Sequence, residues 1–205
     1  MPCSDPATAS GFRLSSDSDQ HAVTRLLADL GEQPQALDQL SRLVYDDIHR
    51  LARFQRRGFK GGETLRTTAL VHEAFLKVFS KNGQTISDRQ HLMRIMTLAM
   101  RQIIVDHARR QLAEKRGGDA VHVELNEQQV AANRQDAERI LDVEAAIERL
   151  AEIDQDLGDI IAARFYGGLT THEIADMQSV SVRTVQRQLQ RANAWLRFEL
   201  QDQAR

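Results

Sequence analysis

The sequence contains few of the residues that break or crosslink a chain, and each shortage excludes a class of protein. Its 205 residues include three prolines, all before residue 35, and one cysteine, Cys3. One thiol cannot form a disulfide framework or a thiolate metal site, which fits a reducing cytoplasm. No apolar run is long enough to span a membrane, and residues 1–20 lack the features of a signal peptide. We therefore expect a cytoplasmic protein with a flexible tail over residues 1–20.

The sequence also lacks a catalytic or cofactor-binding constellation. The pair His72-Glu73 is typical of a zinc protease only with a second histidine at position 76, which is leucine here. In the loop GFKGGET, Lys60 precedes the glycine pair and no strand leads in, so the order is wrong for a phosphate-binding loop. The other histidines are scattered without ligand spacing. We therefore expect no enzyme activity, no metal and no cofactor.

The net charge of −2 conceals a segregation of charge along the chain. Residues 50–66 contain six basic side chains against the single acid Glu63. Residues 117–148 contain eight acids against Arg134 and Arg139. Such blocks matter more for a polyanionic partner than the total charge does.

The spacing of apolar residues indicates helices nearly throughout, because few stretches alternate as strands do. It predicts helices at about 21–30, 34–57, 67–79 and 90–115, and further helices after residue 137. The stretch 117–136 opens with two glycines, is acidic and has little apolar content, which is typical of a linker. We predict an all-α protein with two small helical domains, 21–116 and 137–205, joined by a flexible linker over 117–136.

The stretch 170–191, TTHEIADMQSVSVRTVQRQLQR, predicts two short helices joined by a tight turn. Thr170 or Thr171 can cap the first helix, and Ser181 can cap the second. Ala175 is small where the helices must approach, and Val185 can fill the angle between them. The turn position usually held by glycine is Ser179, for which left-handed backbone is more costly.

The second of these helices is amphipathic in a way that suits DNA. Its buried side is predicted from Val182, Val185, Leu189, Ala192 and Leu196. The other side has no acid, and we predict that it lies in a major groove as the recognition helix of a helix-turn-helix. An ordinary helical hairpin with a solvated basic face is the alternative. The candidate DNA-binding residues are Arg183, Thr184, Gln186, Arg187, Gln188, Gln190 and Arg191.

Four strings in a fixed order give the chain a family resemblance. They are LVYDDIHRLA (43–52), TALVHEAFLKVF (68–79), MRQIIVDHARRQ (100–111) and ARFYGGLTTHEIADMQSVSVRTVQRQLQRANAWLRFEL (163–200). From about residue 21 to residue 200 the chain resembles a sigma-70-type RNA polymerase sigma factor of the extracytoplasmic-function (ECF) group. The resemblance implies helical regions 2 and 4 that bind core RNA polymerase and direct promoter-specific transcription initiation.

The resemblance also implies a division of labour between the helices. The helix at 67–79 would dock on the clamp of the polymerase β′ subunit through Leu70, Val71, Glu73 and Phe75. The domain 137–205 would read −35 DNA and touch the β flap. The helix at 90–116 would open and read the −10 element, with the candidates Arg101, Gln102, Asp106, His107, Arg109 and Arg110.

The chain departs from the family pattern in two places. Residues 90–104 contain no Trp, Tyr or Phe, whereas primary sigma factors use aromatic residues to support melting. The family often has acids just before the clamp-binding string, where this chain has Arg66-Thr67-Thr68-Ala69. Our hypothesis is that a Ser/Thr kinase phosphorylates Thr67 or Thr68, or else Thr64, and so restores the negative charge. Thr67 as a simple N-cap is the alternative, and control by an anti-sigma factor remains open.

A second reading of the whole chain is a stand-alone helix-turn-helix regulator that binds a palindromic operator as a dimer. Two features argue against a stand-alone regulator. The N-terminal half has no ligand-pocket signature, and it has its own basic face.

Overall fold

The computed structural model describes residues 17–31, 33, 35–56, 65–80, 86–114 and 127–202. Within those ranges all regular structure is helical, which confirms the predicted all-α class. The helices are α1 (Asp17–Ala28, followed by a 3-10 turn at Asp29–Gly31), α2 (Ala36–Arg56), α3 (Thr67–Phe79), α4 (Arg89–Glu114), α5 (Glu127–Ile153), α6 (Gln155–Phe165), α7 (Thr171–Gln178) and α8 (Val182–Asp202).

Helices α1 to α4 form a first helical unit around one core. Their apolar stripes, spaced at helical intervals, face one another and exclude water. Burial of each such side chain contributes about 1.5–3 kcal/mol. One ion pair, between Asp47 of α2 and Arg89 of α4, lies inside this unit. The largest fully buried side chains here are Leu40, Ile48, Leu70, Leu92, Met96 and Met100.

Helices α5 to α8 form a second helical unit. Ile147, Leu150 and Leu157 anchor one cluster of buried side chains in it, and Ile160 and Ile174 anchor another. Where α5 and α6 cross, a Cβ on Gly158 would lie 2.5 Å from the Cβ of Ala151, so the crossing requires glycine.

Helix α5 belongs to both units. Near its middle, Ile140 packs against the first core, while Ile147 and Leu150 lie in the second. Ala137 and Asp136 are buried as well.

The first ten residues of α5, 127–136, fall within the stretch predicted to be a linker. They are helical because Ala, Gln, Arg and Glu favour helix even without an apolar stripe. Residues 117–126 of that predicted linker lie outside the described part of the chain. Among the helices that the structure describes, none combines the length and apolar content needed to cross a membrane.

Candidate nucleic-acid interface

Both helices of the predicted helix-turn-helix are capped as their sequence indicates. Thr170 and Glu173 form a reciprocal capping box at the start of α7, with the Glu173 N–H donating to Thr170 Oγ1 over 3.2 Å. At the start of α8, the Thr184 N–H donates to Ser181 Oγ over 3.1 Å. These bonds satisfy backbone donors that a helix start otherwise leaves free, so the caps fix where each helix begins.

The turn between α7 and α8 has the left-handed residue that the motif requires. Ser179 has φ 56° and ψ 38°, and its N–H donates back to the carbonyls of Ala175 and Asp176. Ala175 and Val185 are buried together between the two helices. The predicted roles of all three residues in the turn are therefore confirmed.

The strained turn gives a first prediction. Replacing Ser179 with glycine should raise the free energy of unfolding by about 0.5–1 kcal/mol, because left-handed backbone costs an L-residue roughly 1–2 kcal/mol and glycine offsets part of that gain through its flexible unfolded state. Urea unfolding of the wild-type protein and of Ser179→Gly measures the change, and Ser179→Ala serves as a second L-residue at this position. If the glycine variant is no more stable than the alanine variant, the turn does not store this strain.

The outward face of α8 is basic and accessible. Arg183, Thr184, Gln186, Arg187 and Gln190 are exposed, and the first turn contains no acid. Neither Arg183 nor Arg187 forms a hydrogen bond or an ion pair with another residue in the described ranges. Both guanidinium groups are therefore available to an external anion.

Two of the seven predicted α8 residues are placed differently from the others. Gln188 is half-buried, and its Oε1 lies inside the protein without a partner among the described residues. It follows Val185 by three positions, which turns it toward the core rather than toward the outer face. Arg191 is exposed but lies 3.6 Å from Asp154, the N-cap of α6.

The six candidates on α4 do not form one free surface. Gln102, Arg109 and Arg110 are exposed, while His107 is half-buried. Asp106 lies 3.9 Å from Lys77 Nζ on α3 and 3.7 Å from Arg109 Nη1. Three exposed candidates therefore remain at the C-terminal half of α4.

Arg101 is mostly buried by the second helical unit. Its Nε lies 2.9 Å and 3.0 Å from the two carboxylate oxygens of Glu144 on α5, and its Nη2 lies 2.7 Å from one of them. The Tyr166 hydroxyl donates to the same carboxylate, and its ring centroid lies 4.6 Å from the Arg101 guanidinium carbon. These three side chains are called the Arg101 triad below.

The contacts within the triad fix the protonation states of Arg101 and Tyr166. Burial alone would lower the pKa of Arg101, but the hydrogen bonds and charge of Glu144 outweigh it and raise that pKa above its ordinary value. Burial, together with the hydrogen bond to Glu144 and its charge, raises the pKa of Tyr166 far above the usual range. Arg101 therefore stays a cation and Tyr166 stays a proton donor at any physiological pH.

On α3 the structure places the four predicted polymerase contacts on different sides of the helix. Leu70 and Val71 are buried in the first core, so neither side chain can reach a partner in this arrangement. Both belong to the helical stripe that faces the core. Glu73 is exposed and Phe75 is half-buried against Phe79.

The outward side of α3 is formed by residues that recur at helical spacing. Its members are all exposed, and Leu76 is 63% exposed. We call it the α3 outer face, and it consists of Ala69, His72, Glu73 and Leu76 together with the C-cap residue Ser80.

Sequence reasoning missed Leu76 on α3, and it missed Arg94 and Leu98, which share an exposed stripe on α4 with the predicted Gln102. Leu76 falls outside the buried stripe of α3, and that was the signal that could have identified it. On α4, Arg94, Leu98 and Gln102 recur every fourth residue opposite the methionine stripe, and Leu98 is 59% exposed.

A groove of about 280 Å³ runs between α3 and α4 and joins the two predicted surfaces. Glu73, Leu76 and Lys77 line one side, and Ile103, Asp106 and Arg110 line the other. The outer face of α3 is thus continuous with the basic end of α4.

The start of α3 does not have Thr67 as its N-cap, which was the alternative to phosphorylation. The N-cap is Arg66, which makes no side-chain cap bond, and Thr67 is the first helical residue. Thr67 Oγ1 instead accepts a hydrogen bond of 3.0 Å from Arg56 Nη1 of α2. Thr68 is exposed, and the first turn has no acid. Thr64 lies outside the described residues.

The fold and these surfaces are those of an all-helical protein with a helix-turn-helix. Within the described ranges, no group of three or more His, Cys, Asp or Glu side chains could hold a metal ion. A family model described as "ECF sigma factor" matches residues 20–202. The chain belongs to the ECF sigma factor family. A comparison with curated proteins gives no match.

Membership of this family confirms the coarse prediction of function. The protein is an alternative sigma factor, which binds core RNA polymerase and promoter DNA and directs transcription.

Proposed function

We propose that the promoter is read at two places, at −35 by the outward face of α8 and at −10 by the exposed end of α4. The observation that carries this proposal is the pair Arg183 and Arg187, which are exposed and have no partner among the described residues. An arginine free of internal partners can bind a guanine edge or a phosphate without first breaking an ion pair. On α4, Gln102, Arg109 and Arg110 are exposed, although Arg109 lies 3.7 Å from Asp106 and Arg110 donates to the Asp106 carbonyl.

In this proposal the α3 outer face docks on the β′ clamp, and the second helical unit touches the β flap. Leu76 supplies an apolar anchor in the middle of that face, with Glu73 beside it as the only acid. An apolar centre with a polar rim is typical of protein interfaces. The groove between α3 and α4 then places polymerase-bound and DNA-bound residues side by side.

The direct test of this function is a run-off transcription assay with core RNA polymerase and the DNA upstream of the protein's own gene. We expect initiation only when the protein is added. A stand-alone regulator would bind the DNA but would give no transcript with core polymerase.

The start of α3, which has no acid, is the place where we propose that polymerase binding is regulated. A phosphate on Thr67 or Thr68 would carry about −1.5 to −2 charges into a first turn whose N–H groups have no side-chain cap. The Arg56 guanidinium already lies within hydrogen-bond distance of Thr67 and can pair with such a phosphate. The phosphate then supplies the negative charge that the clamp contact lacks. A Ser/Thr kinase is the partner that this mechanism requires, and an anti-sigma factor is the alternative.

The regulatory part gives a second prediction. Replacing Thr67, Thr68 or Thr64 with aspartate or glutamate should increase recovery of core polymerase in a pull-down severalfold, because each adds negative charge near a helix N-terminus. Thr24→Glu, on the exposed side of α1, is the matched control and should leave recovery unchanged. If no acidic variant binds better than wild type, and the alanine variants remain active in cells, the phosphorylation switch is wrong.

A further inference from the structure

One residue of the predicted −10 surface, Arg101, is already paired with a carboxylate of the same chain. Arg101 lies on α4 among exposed candidates, yet its side chain is only 19% exposed because Glu144 of α5 covers it. The covering carboxylate comes from the second helical unit, 43 residues further along the chain.

The geometry of this contact is the one that an arginine uses for a phosphate. Two nitrogens of the guanidinium, Nε and Nη2, both contact the oxygens of one carboxylate, over 2.7–3.0 Å. Bidentate recognition by a planar guanidinium serves carboxylates and phosphates alike. A phosphate can therefore replace the Glu144 carboxylate on this guanidinium.

The rest of the second unit supports this contact on two sides. Tyr166 donates its hydroxyl to Glu144 and places its ring against the Arg101 guanidinium. Near the turn that follows α6, Gly168 has φ +64°, and a Cβ there would lie 2.9 Å from the Phe54 ring of α2. The two units are thus joined at the triad and again at the end of α2.

We infer that Glu144 is an internal competitor for promoter DNA, so that the chain rests in a closed form and must open before Arg101 can bind a phosphate. This inference rests on the proposed −10 role of α4. Opening returns both charges of the pair to water or to new partners, so neither is left buried alone. Interfaces of this kind within one chain commonly open and close.

The test uses the full-length chain with Cys3 replaced by serine and dyes attached at Gln39→Cys and Gln201→Cys, two exposed positions on α2 and α8. Glu144→Gln weakens the pair with Arg101, and Tyr166→Phe removes only the hydroxyl. Glu138→Gln is the matched control, because Glu138 lies on the same helix and pairs with Arg134 at the surface, 2.9 Å away. Energy transfer between the dyes reports closure, and binding of a labelled single-stranded −10 oligonucleotide by the free chain reports access to Arg101.

We expect energy transfer to fall in Glu144→Gln and, to a smaller extent, in Tyr166→Phe, with oligonucleotide binding about five- to tenfold tighter in Glu144→Gln. Glu138→Gln should match wild type in both assays, which excludes a general effect of removing an acid. Adding Arg101→Ala to Glu144→Gln should keep the domains apart but abolish the gain in binding.

Two results would overturn the inference. The first is unchanged energy transfer in both Glu144→Gln and Tyr166→Phe while circular dichroism shows intact helix. The second is opening without tighter binding of the oligonucleotide. Neither assay contains polymerase, so a failure of the proposed −10 role of α4 would appear separately, as run-off transcription that Arg109→Ala and Arg110→Ala leave unchanged.

Discussion

Replacing Arg187 with alanine is expected to reduce initiation from the protein's own promoter about tenfold or more. The side chain is exposed on the outward face of α8 and has no partner among the described residues, so its loss removes a contact to DNA and disturbs nothing inside. A good bidentate contact to a base contributes about 1–3 kcal/mol, and about 1.4 kcal/mol corresponds to a factor of ten in binding. Run-off transcription at limiting protein concentration measures the effect.

The matched control for this prediction is Arg197→Ala. Arg197 is also exposed on α8, but it lies beyond the predicted recognition residues, and its loss should change initiation less than twofold. Arg187→Lys keeps the charge without the planar fork and should recover only part of the activity. Equal losses at Arg187 and Arg197 would mean that α8 attracts DNA through its total charge and does not read the −35 sequence.

Replacing Leu76 with aspartate is expected to weaken the binding of core polymerase strongly. Leu76 is 63% exposed at the centre of the α3 outer face, whose only acid is Glu73, and Asp106 of α4 lines the adjoining groove. Apolar anchors at the centre of an interface contribute about 2 kcal/mol or more, and a charge buried without a partner adds a further penalty. We expect affinity to fall by more than about thirtyfold, because about 1.4 kcal/mol corresponds to each factor of ten.

Affinity for purified core polymerase, measured by the fluorescence anisotropy of labelled protein, tests this expectation. Leu37→Asp provides the control, since Leu37 is an exposed leucine on α2 and is not part of the α3 outer face. Circular dichroism should show the same helix content for both variants. Normal polymerase binding by the Leu76 variant would mean that polymerase does not dock on the α3 outer face.

Sequence reasoning succeeded where the controlling interactions are short in range. The caps at Thr170 and Ser181 and the left-handed Ser179 each depend on contacts within four residues, so local chemistry determines them. The start of α5 was missed for the opposite reason. Its sequence is helix-favouring but polar, and apolar spacing cannot mark a helix that has little apolar surface.

The candidate site was harder to predict than the fold because its residues are assigned by face and by distant partners. Leu70 and Val71 match the family string, but a matching string does not tell which side of a helix a residue occupies. The apolar register of α3 assigns both to the core. The contact between Arg101 and Glu144 joins two helices through tertiary packing, and no local pattern in either helix indicates it.

The passage of α5 through both cores has a thermodynamic consequence. Suppose that core polymerase and promoter DNA both bind only the form in which α5 has left α4. The first ligand to bind then bears the full opening free energy, and the second bears none of it. By linkage, polymerase must raise the affinity for DNA by the same factor by which DNA raises the affinity for polymerase. One shared helix would thereby make two separate binding events cooperative without any contact between the two ligands.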